Sequence, residues 1–367
     1  LNASGATPIF DLNLLTSNLD SQLAMLRHAR QIGLPIKYVE LGNEFYLRQD
    51  DHVARFPTGA DYGREASLWI AAIRKEFPDA KIAVVGALRA TFNRTDQRVA
   101  KWNSDLFGVL KGADAVTIHV YDSAGIGNSD TFKASDVATM LSAPFNVWNR
   151  LQKDVLPTIP AGMEVWITEY NLHDTSAPVH GTWAHGMFAA TSTLLFCDND
   201  KIVLIDNHEI FGSAVFGAIL GGENAFQMHT AFKPPPNPPK ATPFARSASG
   251  WTLALFADTT HGMTSSQKIQ FAPNPNLRGG ATNVTSPSVI GRTFSDGKRR
   301  SAFILNLASD AYALKTDALS PTTFEQIYAD PLAYISDAQS LTHVTGAVSS
   351  NMLLLPPYSV TRLSDGK

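Results

Sequence analysis

The chain has 367 residues, 44 % of them apolar and 17 % charged, with a formal net charge of −3. That length suggests a large domain with a smaller companion, and that balance excludes a disordered chain. It gives no basic footprint for nucleic acid, no run reaches the ~18–20 apolar residues of a membrane span, and the single cysteine, Cys197, allows neither an intrachain disulfide nor a cysteine-based zinc cluster.

From residue 6 to about residue 260 the chain alternates strand-like and helix-like segments. TPIFDLN (Thr7–Asn13) reads as a short buried strand. A helix starts near Asn18, with Leu19, Leu23 and Leu26 on one face and Gly33 as its stop. KYVELGN (Lys37–Asn43) is the next strand. The pattern then repeats: a helix over Asp61–Phe77 ended by Pro78, a strand at Lys81–Ala87, a helix over Asp96–Leu110, a strand at Ala113–Tyr121. A helix from Val137 to about Leu156, broken near Pro144, precedes a strand at Glu164–Tyr170. A helix over Trp183–Phe196 and a strand at Ile202–Asn207 follow. After an excursion containing the Pro-rich stretch Pro234–Pro243 comes a last helix, Arg246–Ala257.

Alternating strands and helices imply parallel βαβ units, and short continuous apolar strands fit a sheet covered on both faces. An open doubly wound sheet and a closed barrel both satisfy this pattern. No Gly-rich phosphate loop follows a strand, which argues against the nucleotide-binding version. Polar groups gather after strand C-termini, where barrel enzymes carry their chemistry: Asn43/Glu44, His119/Tyr121, Glu169/Asn171 and Asn207/His208. From about Thr264 short alternating runs appear at Lys268–Phe271, Ser288–Phe294, Arg300–Leu307, Thr323–Tyr328 and Asn351–Leu363, with a hairpin signal at Asp296-Gly297. The expected organisation is a (β/α) barrel over residues 1–263 and a small antiparallel β-sandwich over 264–367. Six strand–helix units are visible where a full barrel has eight, so the barrel reads as incomplete, the missing two units preceding residue 6.

Glu44 closes the run Glu40-Leu41-Gly42-Asn43-Glu44, and Glu169 ends the strand VWITE. Two carboxylates on different strands of one barrel face can flank a glycosidic bond; about 5–5.5 Å apart, they support double displacement with retention. Either glutamate alone is more simply a strand-end surface residue; the two together in one alternation point to catalysis. Asn43 can hold a ring hydroxyl beside Glu44. Glu40 is expected as a buried structural carboxylate paired with a cation. His119 and Tyr121, two apart, share a strand face, and a Tyr121 hydroxyl donated to Glu169 would keep that group ionised. Asn13 binds a hydroxyl or caps its turn. Tyr46, Trp183 and Trp251 could stack on sugars or fill the core. A His-x-x-His pair is missing around His208, so no metal is expected there, and no cofactor is needed.

ELGNEF (Glu40–Phe45), VTIHVY (Val116–Tyr121) and VWITEY (Val165–Tyr170) resemble strands four, six and seven of clan A glycoside hydrolases. The resemblance implies Glu44 as acid/base, Glu169 as nucleophile, and His119 and Tyr121 lining the site. FDLNLL (Phe10–Leu15) and the closing LLLPPYSVTRL (Leu353–Leu363) are most similar to family 79, the heparanase and β-glucuronidase family, with families 51 and 39 as rivals. Strands one and two of the clan's barrel have no counterpart here.

The expected function is retaining hydrolysis of an O-glycosidic bond in a polysaccharide or oligosaccharide, with Asn43, His119, Tyr121, Asn13, Tyr46 and Asn171 around the substrate. The rival readings are a non-catalytic carbohydrate-binding protein and an esterase. The second lacks a G-x-S-x-G nucleophile elbow. A carbohydrate is the expected partner, with neither nucleic acid nor membrane, and a homodimer is expected to cover the open barrel. A secreted or periplasmic location is favoured, and Asn2, Asn93 and Asn283 lie in N-x-Ser/Thr triplets.

Overall fold

A computed structural model describes residues 5–88, 95–227, 231–277, 279, 284–317 and 319–365. All three N-x-Ser/Thr asparagines lie outside the described residues.

Six parallel strands form one sheet in the order of the chain: β1 (Ile9–Asp11), β2 (Tyr38–Glu40), β3 (Lys81–Val85), β4 (Ala115–Asp122), β5 (Glu164–Leu172) and β6 (Ile202–Ile205). The expected parallel βαβ architecture is therefore present. The helices are α1 (Leu19–Gln31), α2 (Asp50–Arg55), α3 (Gly59–Glu76), α4 (Gln97–Phe107), α5 (Ala134–Arg150), α6 (Trp183–Phe196) and α7 (Ala248–Thr260). Several predicted strands are longer than the real ones. β2 stops at Glu40 because the chain leaves the ladder before Gly42, whose φ of +91° is not a strand conformation.

Local chemistry accounts for the helix starts. Asn18 accepts a bond from the Ser21 amide, and Thr58 with Asp61 makes a reciprocal capping box on α3. Asp96 accepts from the amides of Arg98 and Val99, opening α4. The apolar stripe of α3 (Tyr62, Ala66, Trp69, Ile70, Ile73) is buried, as is that of α4 (Val99, Trp102, Leu106). The expected break at Pro144 does not occur. α5 runs through it, with Met140, Leu141, Ala143, Pro144 and Phe145 all buried, and only afterwards loosens into a π turn at Leu151–Val155. Side-chain burial on both sides of the proline offsets its missing N–H.

The chain gathers into two compact, discontinuous units. One comprises Leu1–Val120, Arg150–Tyr170 and Asn199–Asp206; the other comprises Tyr121–Asn149, Asn171–Asp198 and Asn207–Lys367. The first holds most of the parallel sheet, with β4 and β5 running on from it. In the second, β7 (Phe211–Gly212) and β8 (Ile219–Leu220) make a small parallel pair.

An antiparallel sheet in the second unit contains β9 (Ser265–Lys268), β10 (Val289–Ser295), β11 (Arg300–Asn306), β13 (Thr323–Tyr328), β14 (Thr342–Ala347) and β16 (Ser359–Ser364), in the order β14-β13-β16-β11-β10-β9. A second, two-stranded layer pairs β12 (Tyr312–Lys315) with β15 (Met352–Leu355). Val289, Ala302, Ile304 and Leu363 of the large sheet share a buried cluster with Leu314 and Leu355 of the small one, which is the expected sandwich. The predicted strand at Lys268–Phe271 sits earlier, at β9, and the run Asn351–Leu363 is two strands, because Pro356-Pro357 interrupts the ladder.

Candidate active site

β1 and β2 pair in parallel with Asp11 opposite Glu40, so two carboxyl groups stand side by side at the C-terminal end of the sheet. Asp11 Oδ1 accepts the Gly42 N–H at 3.0 Å. A Cβ on Gly42 would lie 2.1 Å from the Phe45 ring, so both the turn and that close approach require glycine. Glu44 then adopts φ +50°, a left-handed conformation uncommon outside glycine.

His119 lies near the end of β4 and Glu169 within β5. Nδ1 of His119 is 2.9 Å from Glu44 Oε1 and 3.5 Å from Glu169 Oε2. One oxygen of Glu44, one of Glu169 and a ring nitrogen of His119 all lie within 4.8 Å of one another. The glutamates singled out from the sequence are therefore brought together from strands that lie apart in the sheet.

The charges of this cluster are unequal. Burial would raise the Glu44 carboxyl. The hydrogen bond and charge of His119, the Tyr46 hydroxyl and the nearby His52 outweigh it and hold Glu44 below the usual carboxylate range. Burial would lower His119, but its bond to Glu44 and the charges of Glu169 and Glu40 lift it above the ordinary imidazole value. Glu40, buried and beside Asp11, is pushed up to about 7. Asp11 rises to about 6, chiefly by burial against the surrounding protein although its edge still meets solvent. The raised groups of this cluster are His119, Glu40 and Asp11, and the lowered one is Glu44.

The charge that acts on Glu40 in place of a lysine or arginine is that of His119, and hydroxyls bond the carboxylate. Thr168 Oγ1 donates to Glu40 Oε1 at 3.3 Å and Thr117 also bonds it, while among the described residues no lysine or arginine pairs with it. Tyr46, offered above as a stacking platform, is buried, and its hydroxyl donates to Glu44 Oε1 at 2.9 Å. The Tyr121 hydroxyl stands 2.9 Å from His208 Nδ1. Asn171 is buried, and its amide oxygen lies 2.7 Å from His185 Nε2 while its amide nitrogen donates to the carbonyls of His208 and Phe216. Asn13 caps its turn: its oxygen accepts from the amides of Leu15 and Thr16. Trp183 is core, its indole N–H donating to the Tyr358 carbonyl.

Asn43 is exposed beside Glu44, and both line a polar cleft of about 340 Å³ with Asp11, Asn13, Gln49 and His52. A larger cavity of about 480 Å³, between β9, β10, β11 and β16, carries no comparable cluster of titratable groups. Sequence reasoning missed Tyr46 as a partner of Glu44 and missed the Glu40–Asp11 pair. The second follows from the register of β1 against β2, which the fold sets.

No family model matches the sequence, and no curated protein matches it. Solved structures do. A GH51 α-L-arabinofuranosidase from Thermotoga petrophila RKU-1 superposes with a TM-score of 0.62 at 16 % identity, over 98 % of this chain and 76 % of that one. A family 51 α-L-arabinofuranosidase from Bifidobacterium longum gives 0.64 at 13 % identity, over 99 % and 77 %. The chain shares the fold of these enzymes. A 4-O-α-L-rhamnosyl-β-D-glucuronidase from Fusarium oxysporum 12S gives 0.61 at 12 % identity, over 98 % and 77 %. The fold is thus shared with structures that include members of family 51, named above as a rival; family 79 in particular is not singled out.

Proposed function

We propose that the chain is a retaining O-glycoside hydrolase in which Glu169 is the nucleophile and Glu44 the acid/base. The carrying observation is the approach of the two carboxylates: oxygens of Glu44 and Glu169 lie within 4.8 Å, close to the ~5–5.5 Å spacing of retaining pairs and short of the ~6.5–9.5 Å that leaves room for a water in inverting ones. Glu169 attacks the anomeric carbon while the leaving oxygen takes a proton from the Glu44–His119 pair. Glu44 then draws a proton from water, and the hydroxide formed releases the sugar from Glu169. Asn43 supplies an amide to the ring hydroxyls at the cleft. The shared fold with glycoside hydrolases and the ELGNEF and VWITEY runs support the same reading. The substrate class is a polysaccharide or its oligosaccharides.

The test is a pair of variants on aryl glycosides. Glu169→Ala abolishes turnover, and azide restores part of it by occupying the vacated space. Glu44→Ala spares substrates with good leaving groups, which need little protonation, and loses those with poor ones. Wild-type rates on an unactivated glycoside in either variant remove that residue from its role. Binding without turnover by the unaltered chain, across the glycoside panel, favours the carbohydrate-binding protein; turnover of nitrophenyl esters alone favours the esterase.

A further inference from the structure

The segment that follows Glu44 belongs to no strand until β3, and its carbonyl groups need partners. Many of them find one side chain. Arg98, in the first turn of α4, donates from Nη1 to the carbonyls of Tyr46 and Leu47, the second at 2.9 Å. It donates from Nη2 to Phe45 and to Phe56, the second at 2.8 Å, and from Nε to Pro57 at 3.2 Å. A guanidinium has five N–H donors, and here all five end on main-chain oxygens of one segment. The group lies 5.0 Å over the ring of Trp102, which is itself tied to β3 through the Val85 carbonyl. Among the described residues no carboxylate hydrogen-bonds to the Arg98 guanidinium. A partly buried cation that serves only carbonyls is an expensive way to fill space, and burial does lower its pKa. A second grip lies at the N-cap of α4, where Arg48 bonds the Asp96 carboxylate at 3.1 Å through Nη2.

The held segment starts at the residue after Glu44. It includes Tyr46, whose carbonyl Arg98 holds and whose hydroxyl holds Glu44 Oε1 at 2.9 Å. Glu44 itself sits in a left-handed conformation, which persists only where surrounding structure over-determines it.

We infer that Arg98 is a positioning residue for Glu44: by collecting the carbonyls of Phe45, Tyr46, Leu47, Phe56 and Pro57 it fixes the carboxyl of the Glu44–His119 pair that delivers the proton to the leaving group. The inference rests on Glu44 being the acid/base. Lysine cannot reproduce it, because an ammonium is a compact charge with three donors.

The experiment is a series of aryl glycosides of graded leaving-group acidity, assayed with wild type, Arg98→Lys, Glu44→Ala and the double variant. Arg98→Lys is expected to lose on the order of 10-fold or more in kcat/KM on the poorest leaving groups and little on the best, since small misplacements of a catalytic group can cost up to about 100-fold. In the Glu44→Ala background Arg98→Lys is expected to cost nothing further, because both changes remove the same interaction. A uniform loss across the series, or losses that simply add in the double variant, overturns the positioning role. If Glu44→Ala alone shows no leaving-group dependence, the assignment of Glu44 fails instead. Hydrogen exchange then judges Arg98 separately: in Arg98→Lys, faster exchange confined to the segment 43–57 supports the grip, and unchanged exchange there refutes it.

Discussion

His119 bridges two glutamates through one nitrogen: Nδ1 lies 2.9 Å from Glu44 and 3.5 Å from Glu169. His119 is raised and Glu44 lowered, a balance that favours the imidazole over the carboxylate for a proton shared by the pair. Loss of that proton removes the acid. Activity should therefore fall as pH rises through the raised His119 value, giving a basic limb above about 6.5, the ordinary imidazole pKa. His119→Gln should move that limb down toward the carboxyl range. A basic limb in kcat/KM that stays in place in this variant would detach His119 from the proton.

Glu40 and Asp11 set a different pH dependence. Their folded values, about 7 and about 6, lie above their ordinary ones, so the folded state binds more protons between roughly pH 4 and 7. Stability contributed by these groups is complete below that window and is lost as pH rises through it. The expected result is a melting temperature that declines from pH 4.5 to 7.5, and a shallower decline in Glu40→Gln, which keeps the size of the side chain without its charge. Parallel curves for the two proteins would show that Glu40 ionises in the folded chain as it does in the unfolded one.

Gly42→Ala places a methyl group 2.1 Å from the Phe45 ring on a backbone with φ +91°. Left-handed strain and the clash together should cost on the order of 2–4 kcal/mol of stability and disturb Glu44 two residues on. Urea unfolding with a lowered midpoint and an unchanged slope is the expected reading.

The trio of Glu44, His119 and Glu169 offers one nitrogen and two carboxylate oxygens, donors that a divalent transition metal also accepts. The proposed chemistry does not use one. Dialysis against a chelator should leave kcat/KM unchanged within about twofold, the scatter of such assays being small beside the ~10²-fold effects of removing an essential group. Loss on chelation and recovery with zinc or manganese would replace the two-glutamate mechanism.

Much of this arrangement was legible before any coordinates. Apolar runs bounded by caps and prolines marked the parallel strands, and α6 falls where the pattern put it, at Trp183–Phe196. Glu44 and Glu169 stood out because each closes a strand-like run in the same alternation. α2 did not, since DDHVAR is short, polar and without apolar periodicity. β14 escaped for a related reason: its residues are mostly exposed and include Gly346. The role of Arg98 has no local signature, because its Phe45 partner is 53 residues away and the carbonyls it collects look alike in any sequence. Tyr46 was legible only as an aromatic, and the fold decided that its hydroxyl rather than its ring face would matter.

α6 is apolar on every side and buried along its whole length, and Gly186 on it lies so close to α7 that a Cβ would stand 2.6 Å from the Ala248 carbonyl. α7 in turn sets Phe256 edge-on against Phe294 and Phe303 of the antiparallel sheet, and Ser301 donates to the Thr259 carbonyl. The residues from 264 onward thus share their interior with helices encoded before them. Cutting the gene at residue 263 would not free an exchangeable module; it would divide one core and leave each product with a bare aromatic face. Grafts and fusions of this sandwich should carry α6 and α7 with it, and libraries that shuffle it alone should yield insoluble protein.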